Sequence, residues 1–64
     1  MTVWICITDY YYDGEVEVKY VYTSVDKALV WINSRAKLVT GSDEVGYQAN
    51  FIGGTYRIFK MEVT

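Results

Sequence analysis

The sequence predicts an α+β domain, a small antiparallel sheet of three or four strands with one helix packed on one face, in the order β-β-α-β. Three observations carry this. Two extended, β-branched segments flank an Asp13-Gly14 turn, one segment repeats its apolar residues with helical spacing, and the chain closes on a run of strand-forming residues.

Thr2-Val-Trp-Ile-Cys-Ile-Thr8 is β-branched and aromatic and reads as the first strand. Asp13-Gly14 suits a tight turn, because both residues tolerate positive φ. After it, Glu15 to Tyr22 alternates charged and apolar residues, so that Val16, Val18, Tyr20 and Tyr22 are expected on one face, with Val21 as the only break. Thr23-Ser24-Val25-Asp26 has the form of a helix start, with a hydroxyl to cap an orphan amide and an acid facing the positive end of the dipole. From there Val25, Ala28, Leu29, Ile32, Ala36 and Val39 fall within one stripe, which predicts a helix over 25–38 ended near Gly41. Trp31 and Leu38 lie on the edge of the stripe and Val30 outside it. Residues 40–54 read as a loop with a short extended piece around 47–51, and Thr55 to Val63 as the last strand. With no proline, repeat or low-complexity tract, residues 1–64 form one domain.

A 64-residue chain buries only about 60% of the surface it exposes when unfolded, so its core is marginal. Disulfides and metals are the usual supplements, but one cysteine permits no internal bridge and the absence of histidine removes the usual zinc sets. Oligomerisation or an unusually apolar core remains. One helix covers one sheet face, yet Trp4 and Cys6 oppose Val3, Ile5 and Ile7, while Tyr56 and Ile58 oppose Phe59, Met61 and Val63. The expected oligomer interface is therefore Trp4, Cys6, Tyr56 and Ile58, in a homodimer by preference. The alternative is that the 40–54 loop folds over that face.

The formal charge is −2, and the six cations are scattered singly, which argues against a nucleic-acid backbone as partner. Charge is unevenly placed: residues 1–26 hold five acids against Lys19, and residues 27–64 hold five cations against three acids. The amino-terminal half thus offers an acidic surface to a basic partner. No segment reads as a signal peptide and the longest apolar runs are too short to span a bilayer, so a cytoplasmic location is expected.

The strongest local feature is Asp9-Tyr10-Tyr11-Tyr12-Asp13-Gly14-Glu15-Val16-Glu17, four acids and three tyrosines around one turn. Tyrosines supply contact area at low entropic cost and acids steer association with cationic surfaces, which makes this a contact loop. The other reading is a solvated hairpin whose tyrosines pack on neighbouring strands. Asp9, Tyr10, Tyr11, Tyr12 and Asp13 are the expected partner-binding residues, with Trp31 as a hydrophobic anchor. Catalysis is not expected: carboxylates on a two-stranded ribbon lack a desolvated cleft, and no histidine activates Cys6 or a serine. No metal or cofactor is expected, because the oxygen-rich calcium loop is missing and Gly53-Gly54 precedes a strand instead of the helix that a phosphate loop needs. Tyr10, Tyr11, Tyr12, Tyr47, Phe51 and Tyr56 with Arg57 or Arg35 could stack a base and pair a phosphate, or serve as core and interface filler.

The segments VWICITDYYYDGEVEVKYVYTS, TSVDKALVWI and YRIFKMEV together resemble, in size and style, the very small acidic β-β-α-β proteins encoded by bacteriophages and prophages. The resemblance covers most of the chain and implies action by binding, whether inhibiting host enzymes, blocking defence systems or sequestering signals. The expected function is accordingly a small non-enzymatic interaction protein, a phage-encoded inhibitor of a bacterial protein with a basic surface. The alternatives are a sponge that holds a nucleotide signal between subunits and a structural subunit of an assembly.

Overall fold

The first hairpin forms around Asp13-Gly14 as expected, but the rest of the chain adds strands that its local patterning does not predict. In the computed structural model, which describes residues 1–64, the elements are β1 (Thr2–Tyr10), β2 (Val16–Tyr22), α1 (Val25–Asn33), β3 (Thr40–Ser42), β4 (Gly46–Phe51) and β5 (Gly54–Glu62). All five strands join one antiparallel sheet in the order β2-β1-β5-β4-β3. This overturns the expected fold, a three- or four-stranded sheet in β-β-α-β order with a long helix covering one face. Residues 40–54 form a β3–β4 hairpin that extends the sheet, and the helix has nine residues.

The helix starts at Val25 after Ser24, whose backbone is extended but whose side chain makes no capping bond. It stops at Asn33, short of the predicted 38. There the Ser34 hydroxyl donates to the Trp31 carbonyl at 2.7 Å, and the Arg35 and Ala36 amides both turn back to the Ile32 carbonyl. These bonds satisfy the last carbonyls and end the helix without a glycine. Ala36 and Val39 still pack on the core, but from the loop, and Gly41 lies inside β3. No helix is long and apolar enough to cross a membrane.

The register decides which face the helix covers. Partners across the strands share a face, so Trp4, Tyr22 and Lys60 stand together, as do Cys6, Tyr20 and Ile58. Trp4, Cys6 and Ile58 form the buried core with Ala28, Trp31 and Ile32 of the helix and Ala49 of β4, Cys6 being 0% and Ile58 1% exposed. Tyr56 packs against the same cluster. The expected oligomer interface of Trp4, Cys6, Tyr56 and Ile58 is therefore wrong in its residues: these four lie beneath the helix. Small Ala28 and Ala49 leave room for the two tryptophans between helix and sheet.

The uncovered face carries Val3, Ile5 and Ile7 of β1, Phe59 and Met61 of β5, and Val16, Val18 and Val21 of β2. Strand β5 pairs on both sides without a register shift, so it is apolar on both faces and not bulged. The bulge is in the first hairpin. Cys6 faces Tyr20 and Ile7 faces Val18, which leaves Lys19 as the extra residue. That residue breaks the apparent alternation of β2: Val16 and Val18 turn to the open face, while Tyr20 and Tyr22 turn to the helix side.

Candidate functional site

The sequence-predicted site residues are distributed over three environments. The hairpin loop between β1 and β2 is closed by the Tyr10 amide donating to the Glu15 carbonyl at 3.0 Å, with Gly14 at φ +63°. The Tyr11 amide donates to the Gly53 carbonyl, which ties this loop to the β4–β5 turn. Thr55 spends its hydroxyl proton on the Asn50 side chain at 3.2 Å, so the Tyr11 hydroxyl, 3.1 Å away, is the donor to Thr55. The loop is thereby moored at its base. Beyond the mooring, Tyr12 is 85% exposed, and neither Asp13 nor Glu15 has a cation within 4.0 Å. Tyr12, Asp13 and Glu15 thus form a tip of unpaired acids beside an accessible phenol.

Asp9 stands apart from that tip. It lies on the open face opposite Val16 and Thr55, and its carboxylate is 4.0 Å from the Arg57 guanidinium. Tyr10 lies on the helix side with its ring edge-on to Phe51, at 6.3 Å between centroids. The two readings of the tyrosine hairpin therefore divide by residue: Tyr10 packs on a neighbouring strand, and Tyr12 faces solvent. Trp31 cannot serve as a hydrophobic anchor. It is 4% exposed, edge-on to Tyr56 at 5.7 Å, and its outer surface is roofed by Arg35 at 5.2 Å.

Within the aromatic set, Tyr10, Phe51 and Tyr56 converge with Arg35. Phe51 and Tyr56 stack at 4.4 Å, so the rings run in a chain from Tyr10 through Phe51 and Tyr56 to Trp31. Tyr11 and Tyr12 stay in the hairpin loop. Tyr47 and Arg57 instead border a groove of about 350 Å³ beside β3, where the Tyr47 hydroxyl donates to Asp43 and that bond raises its pKa. Sequence reasoning missed Lys19 and Tyr20, which line the same surface as Tyr10, Phe51 and Tyr56 because the bulge turns them there. Lys19 is bound by Glu17, whose hydrogen bond raises the lysine pKa.

Cys6 is buried at the sheet centre, and desolvation pushes its thiol up to about 11, the opposite of what a nucleophile needs. No three His, Cys, Asp or Glu side chains gather in a group that could hold a metal ion. Comparison with known proteins finds no matching family model, no matching curated protein and no matching solved structure.

Proposed function

We propose that this chain is a small non-enzymatic interaction protein, a phage-encoded inhibitor that docks its hairpin tip on a basic surface of a bacterial protein in the host cytoplasm. The observation that carries the reading is the tip itself: unpaired Asp13 and Glu15 beside the accessible Tyr12, on a loop moored through Tyr11 to Thr55 and Gly53. A moored loop loses less entropy on docking than a free one, and unpaired acids steer encounter with cations. The resemblance to small acidic phage proteins supplies the expectation of a bacterial target. The open face of Val3, Ile5, Val18, Val21 and Met61 is the surface through which two copies would associate, leaving both tips free.

Charge reversal at the tip tests the reading. Asp9 is a poor place for it, since its carboxylate meets Arg57. An Asp13→Lys, Glu15→Lys double variant is the clean perturbation. Immobilised wild-type protein should retain a specific bacterial protein that elutes as salt is raised, and the double variant should lose it while melting at an unchanged temperature. Retention of the same protein by the variant refutes the assignment.

A further inference from the structure

On the helix side of the sheet, where the helix ends, a cavity of about 350 Å³ opens between Thr8 of β1, Tyr20 of β2, Arg35, and the rings of Phe51 and Tyr56. It is within the size range of small-molecule sites. Two properties of its wall point to one kind of occupant. The first is aromatic: the rings of Tyr10, Tyr20, Phe51 and Tyr56 border the cavity, with Tyr10 edge-on to Phe51. The second is cationic: Lys19 also lines the cavity but is already bound by Glu17, whereas Arg35 has no carboxylate within 4.0 Å. Arg35 Nη1 reaches the Trp31 carbonyl at 3.4 Å and the Ser34 hydroxyl at 3.2 Å, which aims the guanidinium but leaves its charge uncompensated.

We propose that this cavity binds a small aromatic phosphate, a nucleoside monophosphate, with the base against the Phe51 and Tyr56 side of the wall and the phosphate on Arg35. Arginine pairs a phosphate through two parallel hydrogen bonds, and stacking on an aromatic plate is tolerant of which base is present. The site lies within one subunit and does not depend on the hairpin tip. It differs from a sponge that closes only between subunits, and its fate is separate from that of the protein-docking proposal.

Adenosine monophosphate is the probe, with adenosine and inorganic phosphate as comparison arms, followed by backbone amide shifts in NMR. Binding should be saturable, with the largest shifts at Thr8, Arg35 and Phe51, and both comparison arms should bind at least ~10-fold more weakly. Arg35→Gln should reduce affinity for the monophosphate ~10–100-fold and leave that for adenosine unchanged, because a charge-assisted pair is lost. The proposal fails if millimolar monophosphate produces no shifts at the cavity, if inorganic phosphate binds as well, or if Arg35→Gln leaves affinity unchanged.

Discussion

Ile58 and Met61 sit on the same strand but on opposite faces, and truncating each to alanine measures which face the helix covers. Both substitutions remove about three heavy atoms at ~0.8 kcal/mol each when buried. Ile58 is 1% exposed, so it loses the full transfer term of about 2.4 kcal/mol and leaves a cavity beneath the helix, for a total near 3–4 kcal/mol. Met61 is 49% exposed, so only about half of the transfer term applies and no closed cavity forms, for a loss near 1 kcal/mol. A 64-residue domain has of order 3–10 kcal/mol to lose. At ~4–8 °C per kcal/mol, Ile58→Ala should melt roughly 15–25 °C lower and Met61→Ala roughly 5 °C lower. The assay is thermal and urea unfolding by circular dichroism at low micromolar protein. If Met61→Ala costs as much as Ile58→Ala at that concentration, the helix does not cover the Ile58 face alone and the reasoning fails. Repeating the series at high concentration adds a second reading. Two copies meeting through the open face would make the Met61→Ala loss grow with concentration, and the Ile58→Ala loss would stay fixed.

The raised Cys6 pKa, about 11 against the ordinary 9.0, predicts that stability is flat with pH up to about 9 and falls as pH climbs to about 11. The folded thiol holds its proton where the unfolded one has lost it, so the total loss is about 3 kcal/mol. Urea midpoints across that window should fall further in wild type than in Cys6→Ala, and parallel falls refute the assignment. Two glycines should separate by mechanism in thermal melts. Gly54→Ala places a Cβ 1.9 Å from the Asp9 carbonyl and should cost more than ~3 kcal/mol or prevent folding, whereas Gly14→Ala meets open space at φ +63° and should cost about 1 kcal/mol. A milder Gly54→Ala would contradict the Tyr10–Gly54 pairing of β1 with β5.

The parts of the fold legible in the sequence are those where one local signal acts alone. Asp13-Gly14 marks the first hairpin, the stripe beginning at Val25 marks the helix, and the β-rich run from Thr55 marks β5. The faces are not legible, because Val3-Trp4-Ile5-Cys6-Ile7 is apolar on both sides and contains no polar marker for the solvent side. The choice is made by fit, with Trp4 and Trp31 accommodated by Ala28 and Ala49, and fit is a property of elements far apart in sequence. The helix end is hidden for a related reason. Ala36 and Val39 continue the apolar spacing because they do pack on the core, yet Ser34 has already turned the backbone out of the helix. In the candidate cavity, Tyr10, Phe51, Tyr56 and Arg35 are legible as an aromatic and cationic set, whereas nothing local marks Lys19 and Tyr20 as part of the same wall.

The bulge at Lys19 is the residue-level event behind most of the remaining differences. Read as unbroken alternation, β2 places Val16, Val18, Tyr20 and Tyr22 on one face and leaves Val21 unexplained. One extra residue resolves both: it sends Val16, Val18 and Val21 to the open face and brings Tyr20 and Tyr22 to the helix side, stacked at 5.6 Å. It also shapes the edge of the sheet. Strand β2 is an edge of the sheet, and a flat edge of valines would invite strand-to-strand pairing. A bulge that disrupts the ladder, with Glu17 and Lys19 ion-paired at that point, makes the edge a poor template. The valines it displaces enlarge the open face. The same residue thus makes the edge a poor template for pairing, while Tyr20 and Lys19 complete the wall of the cavity on the other side.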